Sequence, residues 1–376
     1  MDVLVTGSSG LIGSEAVAFF DQLGFNIVGI DNNARADFFG PAGDTSATRR
    51  RLEAKCRSFR HLPLDIRDRQ SIGELFGASH FDLIIHAAAQ PSHDLAADRP
   101  FDDFDVNATG TLNLLEKTRR HCPDAVFIFV STNKVYGDAP NHLPLVESAL
   151  RWDFAEPRFA NGIAEDFPID QCMHSLFGVS KIAGDLMAQE YARYFGLKTG
   201  VFRGGCLTGP QHAGVQLHGF LNYLVATALR EAPYTIIGYK GKQVRDQIHS
   251  RDVIAAFWEF AQNPRPGEVY NLGGGRENSA SLLECVELIR QITGKQPRLS
   301  FEDTPRRGDH LCYYTDLSKF RAHYSSWKLT RSLPEIIEEI ASAMRPREQG
   351  HLEMSISLPA AKRRRAVEQS VSNSQV

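Results

Sequence analysis

The tightest constraint on this chain lies at its start, where Val3-Leu4-Val5 runs into Thr6-Gly7-Ser8-Ser9-Gly10-Leu11-Ile12-Gly13 and then into Ser14-Glu15-Ala16-Val17-Ala18-Phe19-Phe20. An apolar run, three glycines spaced three apart and an apolar-periodic segment predict a buried strand, a tight turn and a helix start. Glycines at that spacing let the backbone bend sharply, approach a pyrophosphate and pack the helix on the strand, while free N–H groups and the helix dipole attract phosphate. The stretch predicts the phosphate seat of a dinucleotide site. Small residues also fill turns that bind nothing, so the downstream signals decide.

Those signals follow in order. Asn26 to Ile30 predicts a second buried strand ending at Asp31, 24 residues after Gly7, where a carboxylate can accept both adenosine ribose hydroxyls and repel a 2′-phosphate. This favours NAD over NADP, with Arg35 as the one nearby group able to greet a phosphate. Residues 37–55 predict a loop whose Arg49-Arg50-Arg51 run is a solvated face. Phe59 to Leu64 is a third strand; Asp65 at its end can meet the adenine amino group or cap the next helix. Phe81 to His86 is the fourth, continuing into Ala87-Ala88-Ala89-Gln90, whose small residues allow a cofactor to lie against the backbone. Ser92-His93-Asp94 carries the residue types of a hydrolase triad, but sequence neighbours cannot form that relay; the loop is expected to face the substrate. A long helix over 101–121 and a strand over 125–130 complete five strands alternating with helices. The fold class predicted is α/β, a doubly wound parallel sheet with ligands at the strands' carboxyl ends and a smaller C-terminal substrate-binding region.

The expected division is a dinucleotide-binding domain over 1–206, to which 245–275 returns, a substrate region formed by 207–244 and 276–345, and a disordered tail over 346–376 containing Lys362-Arg363-Arg364-Arg365. A net charge of −3 gives no reason to expect nucleic-acid or anionic-membrane binding. The six cysteines form no C-x-x-C pair and predict reduced thiols and no zinc site. No apolar run approaches a membrane span and no signal peptide precedes the first strand, so the chain is expected in the cytoplasm.

Jointly, Gly7/Gly10/Gly13, Asp31, Asp65-Ile66-Arg67, His86-Ala87-Ala88-Ala89, Asn107, Ser131-Thr132 with Val135-Tyr136-Gly137, Ser180-Lys181, Arg245-Asp246-Gln247-Ile248-His249 and Arg307-Gly308-Asp309 resemble the extended short-chain dehydrogenase/reductase family of nucleotide-sugar enzymes. The resemblance spans residues 2–345. Within it, Asp31-Asn32-Asn33, the stretch from Ser131 to Asp138, the stretch from Arg203 to Pro210 and Gly241-Lys242-Gln243-Val244-Arg245-Asp246 are similar to the CDP-paratose 2-epimerase branch. That branch takes hydride from sugar C2 with tightly held NAD, turns the keto sugar and returns the hydride to its other face.

The resemblance implies NAD held by Gly7, Gly10, Leu11, Ile12, Gly13, Asp31, Asn32, Asp65, Ile66, Ala87, Ala88, Ala89, Asn107 and Lys181. It implies a nucleotide-sugar partner, a CDP-linked deoxyhexose, met by Gln90, Ser131, Asn133, Arg203, Arg245 and Arg307, and a homo-oligomer. Thr132, Lys134 and Lys181 are implied at the reacting carbon, where alcohol oxidation requires a proton acceptor and a fixed donor to the carbonyl oxygen. One position departs from the pattern: the family's tyrosine base, four residues before the lysine, is Phe177. Either another group takes the proton, with Lys134, His174, Cys206 and Tyr136 as candidates, or the chain binds NAD without catalysis, or a different sugar carbon reacts. A 4-epimerase is the nearest alternative enzyme. Dehydration is disfavoured, because Asn133-Lys134 stands where dehydratases carry an Asp-Glu pair.

Overall fold

Strand pleating decides which helices each strand meets. In β1 (Asp2–Thr6), Val3 and Val5 face one side and Leu4 the other. Val3 and Val5 pack with Ile27, Ile85 and Ile128 beneath Ala16, Val17 and Phe20 of α1 (Leu11–Gln22) and Val253, Phe257 and Phe260 of the helix Ser250–Gln262. Leu4 packs with Ile30, Ile84 and Phe127 beneath helices Arg69–Ala78, Gly110–His121 and Leu176–Phe195, which contribute Ile72, Phe76, Leu114, Leu115 and Ala188. Strands apolar on both faces belong in a parallel sheet covered twice.

The computed structural model describes residues 1–212, 214, 219–304 and 308–351. With β2 (Asn26–Ile30), β3 (Phe59–Leu62), β4 (Leu83–His86), β5 (Val126–Thr132), β6 (Lys198–Gly204) and β7 (Glu268–Leu272), the sheet runs β7-β6-β5-β4-β1-β2-β3, every pair parallel. The chain winds from β1 outward to β3, then crosses to β4 and winds the other way. Loops leaving β1 and β4 therefore part company and open a crevice at the carboxyl edge. This is the doubly wound α/β architecture expected.

The strands Cys206–Thr208, Val244–His249 and Ser279–Ser281 form a separate three-stranded sheet. Beside it, Pro233–Ile237 pairs with Arg298–Glu302. A third apolar cluster joins Leu224 and Val225 of the helix Phe220–Leu229, Cys285 and Ile289 of Leu282–Thr293, and Ile336, Ile337 and Ile340 of Leu333–His351. All six cysteines are free. Among the described residues, no helix is long and apolar enough to cross a membrane and no cluster of three or more His, Cys, Asp or Glu could hold a metal ion.

Several local expectations are corrected. Residues 37–55 are not one loop: helices Ala34–Phe39 and Ser46–Lys55 form there, the second burying Leu52 in the sheet's core and placing Arg49 and Glu53 one turn apart. The helix expected over 101–121 is broken into Pro100–Phe104, a wide π turn over Asp105–Thr109 and Gly110–His121, the turn forming where buried Asn107 bonds to other segments. Of 245–275, the helix Ser250–Gln262 covers the sheet and β7 joins it, while Val244–His249 pairs in the three-stranded sheet. The last helix runs past the expected boundary at 345, and the tail from 352 lies outside the described residues.

One buried ion pair ties β6 to the helix Leu176–Phe195. Arg203 grips Asp185 through Nε at 3.0 Å and a second nitrogen at 3.1 Å, and its remaining nitrogen donates to Tyr136 Oη at 3.0 Å. Ser131 Oγ and Gln189 Nε2 also donate to Asp185, each at 2.7 Å. Burial opposes the Arg203 charge, but the Asp185 carboxylate overrides it and raises its pKa. Asp185→Ala strands a guanidinium in the interior, so we expect a loss of about 3–5 kcal/mol in urea unfolding at neutral pH.

Candidate active site

The glycine turn works through close backbone approach. Gly7 has φ +69°, and a Cβ there would come within 2.8 Å of Ala88 N. A Cβ on Gly13 would come within 2.0 Å of Gly7 O. These absences of side chain bring β1, α1 and the loop after β4 together around a cleft of about 480 Å³. Gly7, Gly10, Leu11, Ile12 and Gly13 line one end, and Ala87, Ala88 and Ala89 form a floor. Gly10 precedes the first turn of α1 without a side-chain cap, leaving backbone N–H groups for an anion.

Asp31 stands where β2 ends. Its carboxylate accepts from Ser9 N at 2.9 Å and Asn33 N at 2.8 Å, which fixes its orientation at the cleft. Asn32 and Ile66 line the same end, as does Asp65, which accepts from Asn32 Nδ2 at 3.0 Å and pairs with Arg67 at 2.7 Å. Burial works against the Asp65 charge, but the Arg67 hydrogen bonds prevail and lower its pKa. Asp65 does not cap the helix Arg69–Ala78; Asp68 does, accepting from Gln70 N and Ser71 N. A hydroxyl-rich adenosine half fits beside Asp31 and a pyrophosphate fits against the glycine turn, so this chain's residues suit a nicotinamide dinucleotide.

At the other end, Ser131, Thr132, Asn133, Lys134, Phe177 and Lys181 line the cleft. Lys181 Nζ donates to Val130 O at 2.7 Å and sits 4.2 Å from the centroid of Phe129; burial pushes its pKa down to about 7, against the pull of Asp185 and Asp103. Thr132 Oγ1 accepts from Lys134 N at 3.2 Å. Lys134 Nζ donates to Gly308 O at 3.0 Å and lies 3.7 Å from Asp309 Oδ1. Burial pushes Lys134 down to about 8, with Asp309 opposing and Arg245 assisting. Arg245 lines the cleft, and its guanidinium contacts Asp309 and the His310 carbonyl.

Three expected ligand contacts are turned inward. Gln90 is 1 % exposed; Nε2 donates to Ser92 O at 2.9 Å and Asp103 at 2.7 Å, and Oε1 accepts from Ser92 N at 2.6 Å. Asn107 grips both backbone groups of Gln90 at 3.0 Å and donates to Ser180 Oγ. Neither side chain lines the cleft, because both satisfy buried polar groups behind it. Arg203, held by Asp185, is likewise internal. Arg307 lies outside the described residues.

Of the groups weighed as replacements for the tyrosine, Lys134 and Cys206 line the cleft. Burial pushes the Cys206 thiol up to about 11, which makes it a poor proton acceptor. Tyr136 is fully buried, bonded to Asn271 and Arg203, and pushed up to about 12 by burial. His174 bonds to Val135 O at 2.8 Å, away from the cleft. Phe177 meets a group outside those four candidates, the imidazole of His93, edge to face at 5.2 Å and 74°. The sequence signal for His93 is its place on the loop that leaves a strand's carboxyl end.

Residues 3–273 match the family model described as NAD dependent epimerase/dehydratase family. A CDP-paratose 2-epimerase of Salmonella typhi is 31% identical over 332 residues, covering 85% of this chain and 92% of that protein. The UDP-glucose 4-epimerase of Homo sapiens is 30% identical over 349 residues, covering 90% and 94%. A crystal structure of a Thermus thermophilus UDP-glucose 4-epimerase complexed with NAD superposes with a TM-score of 0.72 at 25% identity, covering 92% of this chain and 99% of that one.

Asp31→Ala removes an ionised acceptor from the ribose end. Hydrogen bonds to charged groups contribute about 1.5–3 kcal/mol, so NAD affinity should fall roughly 10- to 100-fold in calorimetric titration. The glycine turn, the oriented carboxylate and the matched length together place the chain in the NAD dependent epimerase/dehydratase family of nucleotide-sugar enzymes.

Proposed function

We propose that the chain is a nucleotide-sugar epimerase that interconverts CDP-paratose and CDP-tyvelose at sugar C2. The carrying observation is the 31% identity with the Salmonella typhi CDP-paratose 2-epimerase across 85% of this chain. Asn133-Lys134 after Thr132 supports the same reading, because an elimination needs an acid/base pair that these two residues do not form.

Bound NAD supplies the hydride acceptor and, on return, the hydride donor. The chain's own residues do the rest. Lys181, fixed on Val130 O, would hold the nicotinamide ribose, and its ammonium form would place positive charge near the reacting carbon. Thr132 offers its hydroxyl to the reacting oxygen. Lys134 and Arg245 share Asp309 as counter-ion, so the trio presents one net positive charge towards the diphosphate and developing oxyanion. Burial opposes the Asp309 charge, yet these two cations hold its carboxyl well below the usual range. The keto sugar turns within the cleft while the diphosphate stays anchored.

The similarity to the human UDP-glucose 4-epimerase favours a second reading, inversion at C4. Proton NMR of the NAD-loaded protein in deuterated water, with CDP-paratose and UDP-glucose supplied separately, distinguishes them. Growth of CDP-tyvelose signals without deuterium at C2 supports the 2-epimerase; inversion of UDP-glucose alone replaces it with the 4-epimerase, and no change in either sinks both.

A pH dependence follows from Lys134. Its folded-state pKa is depressed to about 8, so the ammonium is present below that pH and lost above it. Lys181, pushed down to about 7, loses its charge first, so we expect kcat/KM to fall on the alkaline side in two steps, near 7 and near 8, and Lys134→Arg, which keeps a charge, to remove only the upper step.

A further inference from the structure

With phenylalanine in place of the tyrosine, an epimerase lacks its usual proton acceptor, and the structure puts an imidazole beside that position. We propose that His93 is the general acid/base, taking the proton of the reacting sugar hydroxyl and returning it after the sugar has turned. This inference rests on the epimerase reading and adds to it a residue for the proton.

Three observations carry it. His93 lines the cleft, and its ring lies against Phe177, the residue that replaces the tyrosine. The imidazole is fixed from a second element: Nδ1 and Ser175 Oγ are 2.6 Å apart, and Ser175 is the N-cap of the helix carrying both Phe177 and Lys181. Ser175 Oγ accepts from Gly178 N at 3.2 Å, and the tautomer in which Nδ1–H donates to that same oxygen puts the basic lone pair on Nε2; this is the tautomer the proposal requires, and a second partner selects which nitrogen of a histidine carries the proton. The loop beneath is clamped as well. Asn107 holds both backbone groups of Gln90, Gln90 holds both backbone groups of Ser92, and Ser92 Oγ accepts from Leu95 N at 3.3 Å to cap the helix His93–Asp98. A buried chain of amides set behind the cleft thus holds one imidazole in place, the kind of support a proton-transferring group requires.

The sugar O–H breaks and an N–H forms at Nε2, while the carbon's hydrogen leaves with its electron pair for the oxidised nicotinamide and the C–O bond becomes a carbonyl; the return step reverses each change. Lys134 remains a cation in this scheme and stabilises the oxyanion, as its contacts with Asp309 and Gly308 O suit it to do. The other titratable groups at this end are Asp94 on the same helix, Lys181, Cys206, Arg245 and Asp309.

The test compares NAD-loaded wild type with His93→Gln and His93→Ala, following epimerisation by NMR and reduction of bound NAD by absorbance, with NAD affinity measured alongside. General acid/base contributions of about 10²–10⁴-fold set the expected loss of kcat in H93Q, with KM and NAD affinity little changed. The acid limb of the wild-type pH profile should vanish in H93Q, and free imidazole should restore turnover to His93→Ala. Ser175→Ala, which keeps the imidazole but removes its anchor, should lose roughly tenfold and shift that limb. If H93Q folds and binds NAD yet keeps wild-type kcat and pH profile, the inference is overturned while the epimerase reading stands. If H93Q misfolds, an S175A enzyme with unaltered pH profile overturns it. A wild type that neither epimerises nor reduces NAD with any nucleotide sugar overturns the functional reading and this inference together.

Discussion

The close approach of three backbone segments at the glycine turn is the constraint on which the structure depends. With Gly7 against Ala88 and the start of α1 folded over Gly7 O, no side chain fits between β1, β4 and α1 at that point. The parallel sheet then follows from pleating, since each strand carries apolar residues on both faces and needs helices on both sides. The crevice follows from the winding, because the chain reverses direction across the sheet between β3 and β4. A cofactor cleft is thus the space left over when these strands pair in the order their connections allow.

Around that cleft, charge is arranged in two separate groups with opposite character. The adenosine end is governed by carboxylates, Asp31 and Asp65, each oriented by neighbouring donors. The opposite end, where Phe177 and Lys181 lie, is governed by buried ammonium and guanidinium groups, of which Lys134 and Arg245 share Asp309 as counter-ion. Burial moves Lys134 and Lys181 toward neutrality, so their charge at neutral pH depends on Asp309 for the first and on Asp185 and Asp103 for the second. The buried Arg203–Asp185 pair serves electrostatics at the site as well as the link between β6 and its neighbouring helix.

Much of this is legible in the sequence, for identifiable reasons. The glycine spacing and the apolar runs fix backbone geometry locally, so the fold class and the strand that ends at Asp31 can be read directly. The polar residues behind the site cannot. Gln90, Asn107 and Arg203 have the side chains of ligand contacts, and only tertiary packing shows that their partners are Ser92, Ser180 and Asp185. The helices within 34–55 escape notice because that segment has few apolar residues; Leu52 alone anchors the second of them in the core. His93 is masked by the company of Ser92 and Asp94, which suggests a triad, whereas its actual partner lies 82 residues away.

The sheet's edge strand, β7, is the last of that sheet's seven strands in sequence, yet the whole helix and strand series from Cys206 to Gln262 intervenes between it and β6, the strand it pairs with. The smaller C-terminal region is therefore threaded through the nucleotide-binding fold instead of being appended to it. Asp246, on the three-stranded sheet, accepts from Gly275 N just past β7 and from Thr315 N, sewing the two regions together a second time. Exchanging substrate regions between relatives cannot be done with a single crossover. A chimaera that exchanges both pieces of that region and keeps the strand closing the sheet needs three junctions, before Cys206, between Gln262 and β7, and after β7, so the region cannot be traded as one continuous module.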